Sequence, residues 1–216
     1  VAASLWLLVA LGLRAEAPRR FPRSVALGGL LVALTLAVAC YTSAYGPVLR
    51  CQAKMGAAQR DPAAAEAYLL EAGRADRLAS MPWQHLSAVA IEDFRRNHSN
   101  TSFDRFEEYN RNALRLAPNS SQAWLASGDW YLEVFAGTQR LEDLEMAEAA
   151  YRRAVALYPN SGLCRAKLAL CYAALGREAD FRHQAAMALR LDAQTPHTDK
   201  KLPPALRKRL TAEPMP

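Results

Sequence analysis

The residues best suited to metal binding or nucleophilic chemistry are four histidines and four cysteines, and their spacing supports neither. His85, His98, His183 and His197 are scattered, with no pair at metal-ligand spacing. Cys164 and Cys171 stand seven apart; on one helix that separates the sulfurs by about 10 Å, too far for a bridge. Cys40 falls in an apolar run and Cys51 at its rim, where both read as small apolar residues. There is no glycine-rich phosphate loop and no Gly-x-Ser-x-Gly turn. Glu142, Asp143, Glu145 and Glu148 form an acidic helix start, which the helix dipole favours without any catalysis. Asn97-His-Ser, Asn100-Thr-Ser and Asn119-Ser-Ser match glycan-acceptor triplets and read here as loop and cap residues. The expectation is therefore no catalytic residue, no metal and no cofactor within this stretch.

Chemistry failing, the charge map says what the elements are for. The chain has 216 residues and a net charge of +6. The excess lies outside the middle: Arg14, Arg19, Arg20 and Arg23 near the start, Arg50, Lys54 and Arg60 next, and five Lys or Arg in 196–216. Residues 61–195 hold 15 basic and 18 acidic side chains, or −3. A nucleic-acid domain needs its positive charge on the folded face that meets phosphate. The acidic middle excludes that class, so no nucleic-acid partner is expected.

No charged residue occurs from Ser24 to Leu49. Within it the 21 residues Val25–Tyr45 would span roughly 31 Å as a helix, matching a hydrocarbon core of about 30 Å. Tyr41 and Tyr45 sit at one end, where amphipathic rings prefer the interface. Residues 24–48 are thus expected to be a transmembrane helix, and the uncharged residues 1–13 the last part of a preceding one. Residues 14–23 between them form a short Arg-rich loop. Such loops stay in the cytoplasm, which puts everything after about residue 48 outside it. The chain opens in mid-run without Met, so it is read as the C-terminal part of something longer.

The remainder repeats. Ala113-Leu-Arg-Leu-Ala-Pro-Asn-Ser120 matches Ala154-Val-Ala-Leu-Tyr-Pro-Asn-Ser161 at a distance of 41 and, 34 further on, Ala188-Leu-Arg-Leu-Asp-Ala-Gln-Thr195. Trp83-Gln-His-Leu-Ser and Trp124-Leu-Ala-Ser-Gly are also 41 apart. A period of 34 is that of a helix-turn-helix repeat, and two units carry the same seven-residue excess between their helices. Two extra helical turns or a longer inter-helix loop would absorb it. In the unit from Ser121, Trp124, Gly128 and Tyr131 share one face of a first helix. Ala147, Tyr151 and Ala154 line the second, and Pro159 ends it. The next unit has Leu168, Ala169 and Tyr172, then Phe181, Ala185 and Ala188; the one before has Trp83, Leu86 and Ala90, then Phe106, Asn110, Ala113 and Pro118. Further back, Ala65, Leu69 and Ala72 follow an Asp61-Pro62 helix start, with a first helix over 46–60.

This pattern resembles the tetratricopeptide (TPR) family across roughly 62–192. Ala193 stands where the earlier units have proline, as suits a terminal repeat. The fold class expected is all-α: a transmembrane helix, plus the truncated preceding one, followed by a TPR-like α-α superhelix over 49–195 and a basic, proline-containing tail over 196–216. The layout as a whole is similar to the C-terminal end of bacterial O-antigen ligase/polymerase-type membrane proteins. The residues carrying this second likeness are the span 25–45, Ala75-Asp-Arg-Leu78, Gly128-Asp-Trp-Tyr-Leu132, Tyr151 to Ser161, and the closing His197-Thr-Asp-Lys-Lys-Leu202. The resemblance implies a polytopic parent at the bacterial inner (cytoplasmic) membrane, moving glycan polymer from a polyprenyl-diphosphate carrier onto an acceptor. That family's catalytic Arg and His lie in the multi-span core and a large outer loop, so none is carried over here.

TPR arrays line a groove with the first helix of each pair. In this register Gln122, Leu125, Asp129 and Glu133, then Leu163, Ala166 and Leu170, are the groove candidates. The expected partners are a protein or peptide segment in that groove and the membrane. The competing expectation is a membrane-tethered TPR scaffold with no enzymatic parent.

Overall fold

The computed structural model describes residues 23–211. The expected stubs at 1–13 and most of the 14–23 loop lie outside them. Two units are distinguished, divided between Pro47 and Val48.

The first contains α1 (Arg23–Cys40), followed by a π-helical turn, Tyr41–Tyr45. The described apolar side chains of α1 are exposed, Leu30, Leu31 and Leu36 at 63–66%. Hydroxyls of α1 and of the π-helical turn bond back to their own backbone. Thr35 donates to the Leu31 carbonyl, Thr42 to Val38 and Ser43 to Ala39, each four residues back. Such bonds hide polar groups where no water competes for them. Tyr41 and Tyr45 stack at 5.8 Å.

The second unit takes in most of α2 (Gly46–Arg60), then α3 (Ala65–Ala75) and three packed helix pairs: α4 (Met81–Asn97) with α5 (Asn100–Leu116), α6 (Ser121–Thr138) with α7 (Leu141–Leu157), and α8 (Gly162–Ala174) with α9 (Glu178–Gln194). Pairs stack through α4 against α6 and α7 against α8. The predicted stripes are the core: Phe106, Ala113, Ala147, Tyr151, Ala154, Leu168, Ala169 and Ala188 are each 2% exposed or less. Gly128 admits the Tyr151 ring so closely that an added Cβ would lie 2.5 Å from it.

The same local chemistry recurs at the 41-residue interval. Ser120 and Ser161 cap α6 and α8, accepting from Ala123 and Cys164 N–H at 3.2 Å. Trp124 Nε1 donates to the Pro118 carbonyl, and Arg165 Nε, at the matching place, to Pro159. His98 and Gln139 each end a first helix in the left-handed conformation, at φ 50° and 56°, donating back to Phe94 and Phe135. The last pair turns on Gly176 instead. The seven-residue excess is helical: α6 has 18 residues against 13 in α8, and α7 begins six residues before Ala147 where α9 begins three before Phe181. The inter-helix link does not lengthen; it is Gln139 and Arg140 in one pair and Leu175 to Arg177 in the other.

One boundary moves. The stack does not stop at 195 in favour of a tail. A 3-10 turn, Thr198–Lys200, leads to α10 (Pro204–Thr211), which packs on α8 and α9 with Leu202 and Leu210 buried. Without a proline α9 runs to Gln194, and its buried Asp192 holds the return: Oδ1 accepts from Leu202 N–H at 2.6 Å and Oδ2 pairs with Arg207 Nε at 3.1 Å.

Candidate partner-binding faces

The seven groove candidates do not form one open surface. Gln122 and Glu133 on α6 are exposed and Leu163 on α8 is 39% exposed, while Leu125 and Leu170 are half-buried. Ala166 is fully buried and offers no surface, because α8 is packed tightly on both sides. Asp129 is already engaged. Tyr151 Oη donates to its Oδ1 at 2.5 Å, and Lys167 Nζ of α8 reaches the same oxygen at 2.9 Å. This carboxylate ties α6, α7 and α8 together, and with burial it drives the Tyr151 hydroxyl far up, keeping it a donor.

A cavity of the second unit lies elsewhere. A cleft of about 670 Å³ opens between α2 and α4 over the start of α3. Met55, Ala58, Leu69 and Val89 are its apolar lining; Glu66, Glu92, Asp93 and Arg96 are its charged one. Its floor is a polar network. Arg105 of α5 donates through Nη1 to both oxygens of Glu66 and through Nη2 to Asp93 Oδ2 at 2.9 Å, and Tyr109 Oη donates to Glu66 Oε1 at 2.9 Å. Burial, then that bond to Glu66, pushes the Tyr109 hydroxyl up to about 12. The sequence held a signal for this cleft. α3 has 11 residues against 17 in each of α5, α7 and α9, so the second-helix layer is short where the cleft opens.

A smaller cavity of about 230 Å³ lies between α5, α6 and α7, walled by Trp124, Tyr131 and Met146. It exists because Asn110 occupies the place that Tyr151 fills in the next pair. Asn110 Nδ2 donates to Ser127 Oγ at 2.9 Å, in full burial. Among the described residues no three His, Cys, Asp or Glu side chains are grouped to hold a metal.

No protein-family model matches the chain, and no curated protein matches its sequence. The solved structures do contain a counterpart. The chain is similar to a thermophilic TPR protein of Thermus thermophilus, with a TM-score of 0.53 at 20% identity, over 87% of this chain and 92% of that one. The fold is TPR-like. Of these TPR-like elements, α2, α3 and α4 border the 670 Å³ cleft, and α6, α7 and α8 are tied together through Asp129.

Proposed function

We propose that this chain is a membrane-anchored, TPR-like protein-interaction module. More narrowly, we assign it as the C-terminal anchor and tail of a polytopic O-antigen ligase/polymerase-like protein in cell-envelope polysaccharide assembly. Its place is the bacterial inner membrane, with the repeat domain outside the cytoplasm. One observation carries the reading: Leu27–Arg60 is the one helix among the described residues long and apolar enough to cross a membrane, its most apolar window has a mean hydropathy of 1.8, and none of that window is buried. Burying such a surface in hydrocarbon gains about 25 cal/mol per Å² of apolar area, which water cannot match. The arginines of 14–23 support the orientation. The second-helix stripes and the TPR-like stack support the interaction role.

Two experiments test it. Washing membranes with alkaline carbonate should leave the full chain in the pellet. Trypsin added to intact spheroplasts should cut the exposed loop at Arg77, beside the 84%-exposed Leu78, and leave the apolar helix behind. Release by carbonate removes the anchor; protection of Arg77 until lysis reverses the orientation. The parent is tested by reading the gene upstream. Many further spans with a large Arg- and His-rich loop support the ligase/polymerase assignment, whereas one or two spans leave a tethered scaffold.

A further inference from the structure

We propose that the cavity between α5, α6 and α7 binds a small, neutral aromatic molecule carrying one hydroxyl, a phenol in chemical class. It is a site of its own, independent of where a protein partner docks. The volume sets the scale. About 230 Å³ exceeds the roughly 150 Å³ apolar cavity that holds benzene and falls short of the roughly 300–1,000 Å³ of a drug-sized site. It therefore admits one substituted ring. Its walls suit a ring: the Trp124 indole, Leu114, and the Met146 thioether, whose sulfur favours aromatic contact.

The floor is polar, and the protein alone does not close it. Asn110, 3% exposed, donates its amide N–H to Ser127 Oγ at 2.9 Å, and its Oδ1 has no hydrogen-bond partner. Tyr131, 5% exposed, lines the same cavity beside Asn110. Burial raises its hydroxyl, which stays protonated and can donate. An acceptor without a donor, next to a phenolic donor, calls for a group that does both, and a hydroxyl is such a group. Glu107 and Arg111, the charged residues of the lining, stand one turn apart on α5 with opposite sign, so a neutral ligand fits.

The repeat names the missing piece. At the matching position 41 residues on, the Tyr151 ring packs against Gly128 and its hydroxyl bonds Asp129. A phenol is the part of that tyrosine which Asn110 lacks. The mouth favours a free molecule over a partner's tyrosine. One helical turn from the lining residues stand exposed Glu108, Arg115, Glu142 and Arg153, whereas the core of a protein interface is depleted of charge.

The probes are para-fluorophenol and para-fluorotoluene, which lacks the hydroxyl. Each is titrated by fluorine NMR against the full chain in nanodiscs, with empty nanodiscs as the background for partition into lipid. The phenol should bind saturably and the toluene about tenfold more weakly, the worth of one hydrogen bond. Ala149→Trp, which fills the mouth from an exposed position, should weaken the phenol by about tenfold or more. Asn110→Leu, which makes the floor apolar, should reverse the preference in favour of the toluene. Circular dichroism checks that each variant is folded, and Ala149→Trp decides alone if Asn110→Leu is not. No saturable binding, equal affinity for the two probes, undiminished binding to Ala149→Trp, or an unchanged preference in folded Asn110→Leu overturns the proposal. Each of these leaves the interaction role as it stands.

Discussion

Residue by residue, the fold depends on small side chains at fixed places. Gly128 is the clearest. A methyl there would press into the Tyr151 ring at 2.5–2.8 Å, and overpacking of that kind costs about 1–3 kcal/mol. Gly56 in α2 has nothing within 4 Å of an added Cβ, so there the gain in helix propensity of about 0.5–1 kcal/mol should prevail. Gly128→Ala should thus lower the thermal midpoint and Gly56→Ala raise it, read by circular dichroism on the full chain in detergent. The cysteines follow the same logic. Burial pushes the Cys171 thiol up to about 12 and raises Cys164 as well. A thiol, not a thiolate, persists at pH 8, so iodoacetamide should leave these two untouched until denaturant is added. Linkage gives the sign at high pH. Because the folded values of Cys171 and Tyr109 lie above their usual 9 and 10, stability is full below about pH 9 and falls as pH climbs toward 12. An alkaline titration should show helix loss in that window, and Cys171→Ala should move its onset upward.

Among the elements, what was legible in the sequence was whatever depends on spacing alone. The stripes of Ala147, Tyr151 and Ala154 and their counterparts announced the buried faces, since a helix returns a residue to the same side every three or four positions. Asp61-Pro62 announced the turn between α2 and α3, where Asp61 does accept from Ala64 N–H. Less visible was what depends on reach. That Lys167 would claim Asp129 from the next pair, or that Arg105 would bridge Glu66 and Asp93 across 39 and 12 residues of sequence, cannot be read from periodicity. Nor was α10 legible, because Pro203-Pro204 and a run of basic residues look like a tail until Leu202 and Leu210 are seen to pack. That element rests on Asp192. Hydrogen bonds to a charged group are worth about 1.5–3 kcal/mol each, so Asp192→Ala should loosen α10 without melting the pairs. Hydrogen exchange should quicken at 202–211 and stay slow in α5 to α8; equal quickening throughout would mean Asp192 supports the whole stack.

The molecule taken whole combines an uncovered apolar helix with a helical-repeat domain whose fold is TPR-like. That pairing places its weight on contacts between successive pairs, each touching mainly its neighbours, so stability should spread as local sums rather than one cooperative block. A urea titration followed at Trp124 and Trp130 and by circular dichroism should give the broad, probe-dependent transition of a short array, with α2 and α3, flanked by the cleft, opening first by hydrogen exchange. The latch at Asp192 carries a consequence of another kind. With Leu202 and Leu210 seated on α8 and α9, Arg207 paired to Asp192, and Lys208 and Arg209 turned to water, the surface on which one more pair would be laid is already roofed by basic side chains. Copies of this domain therefore have no sticky end there, and growth into head-to-tail filaments, the standing hazard of any modular rod, is blocked at that face.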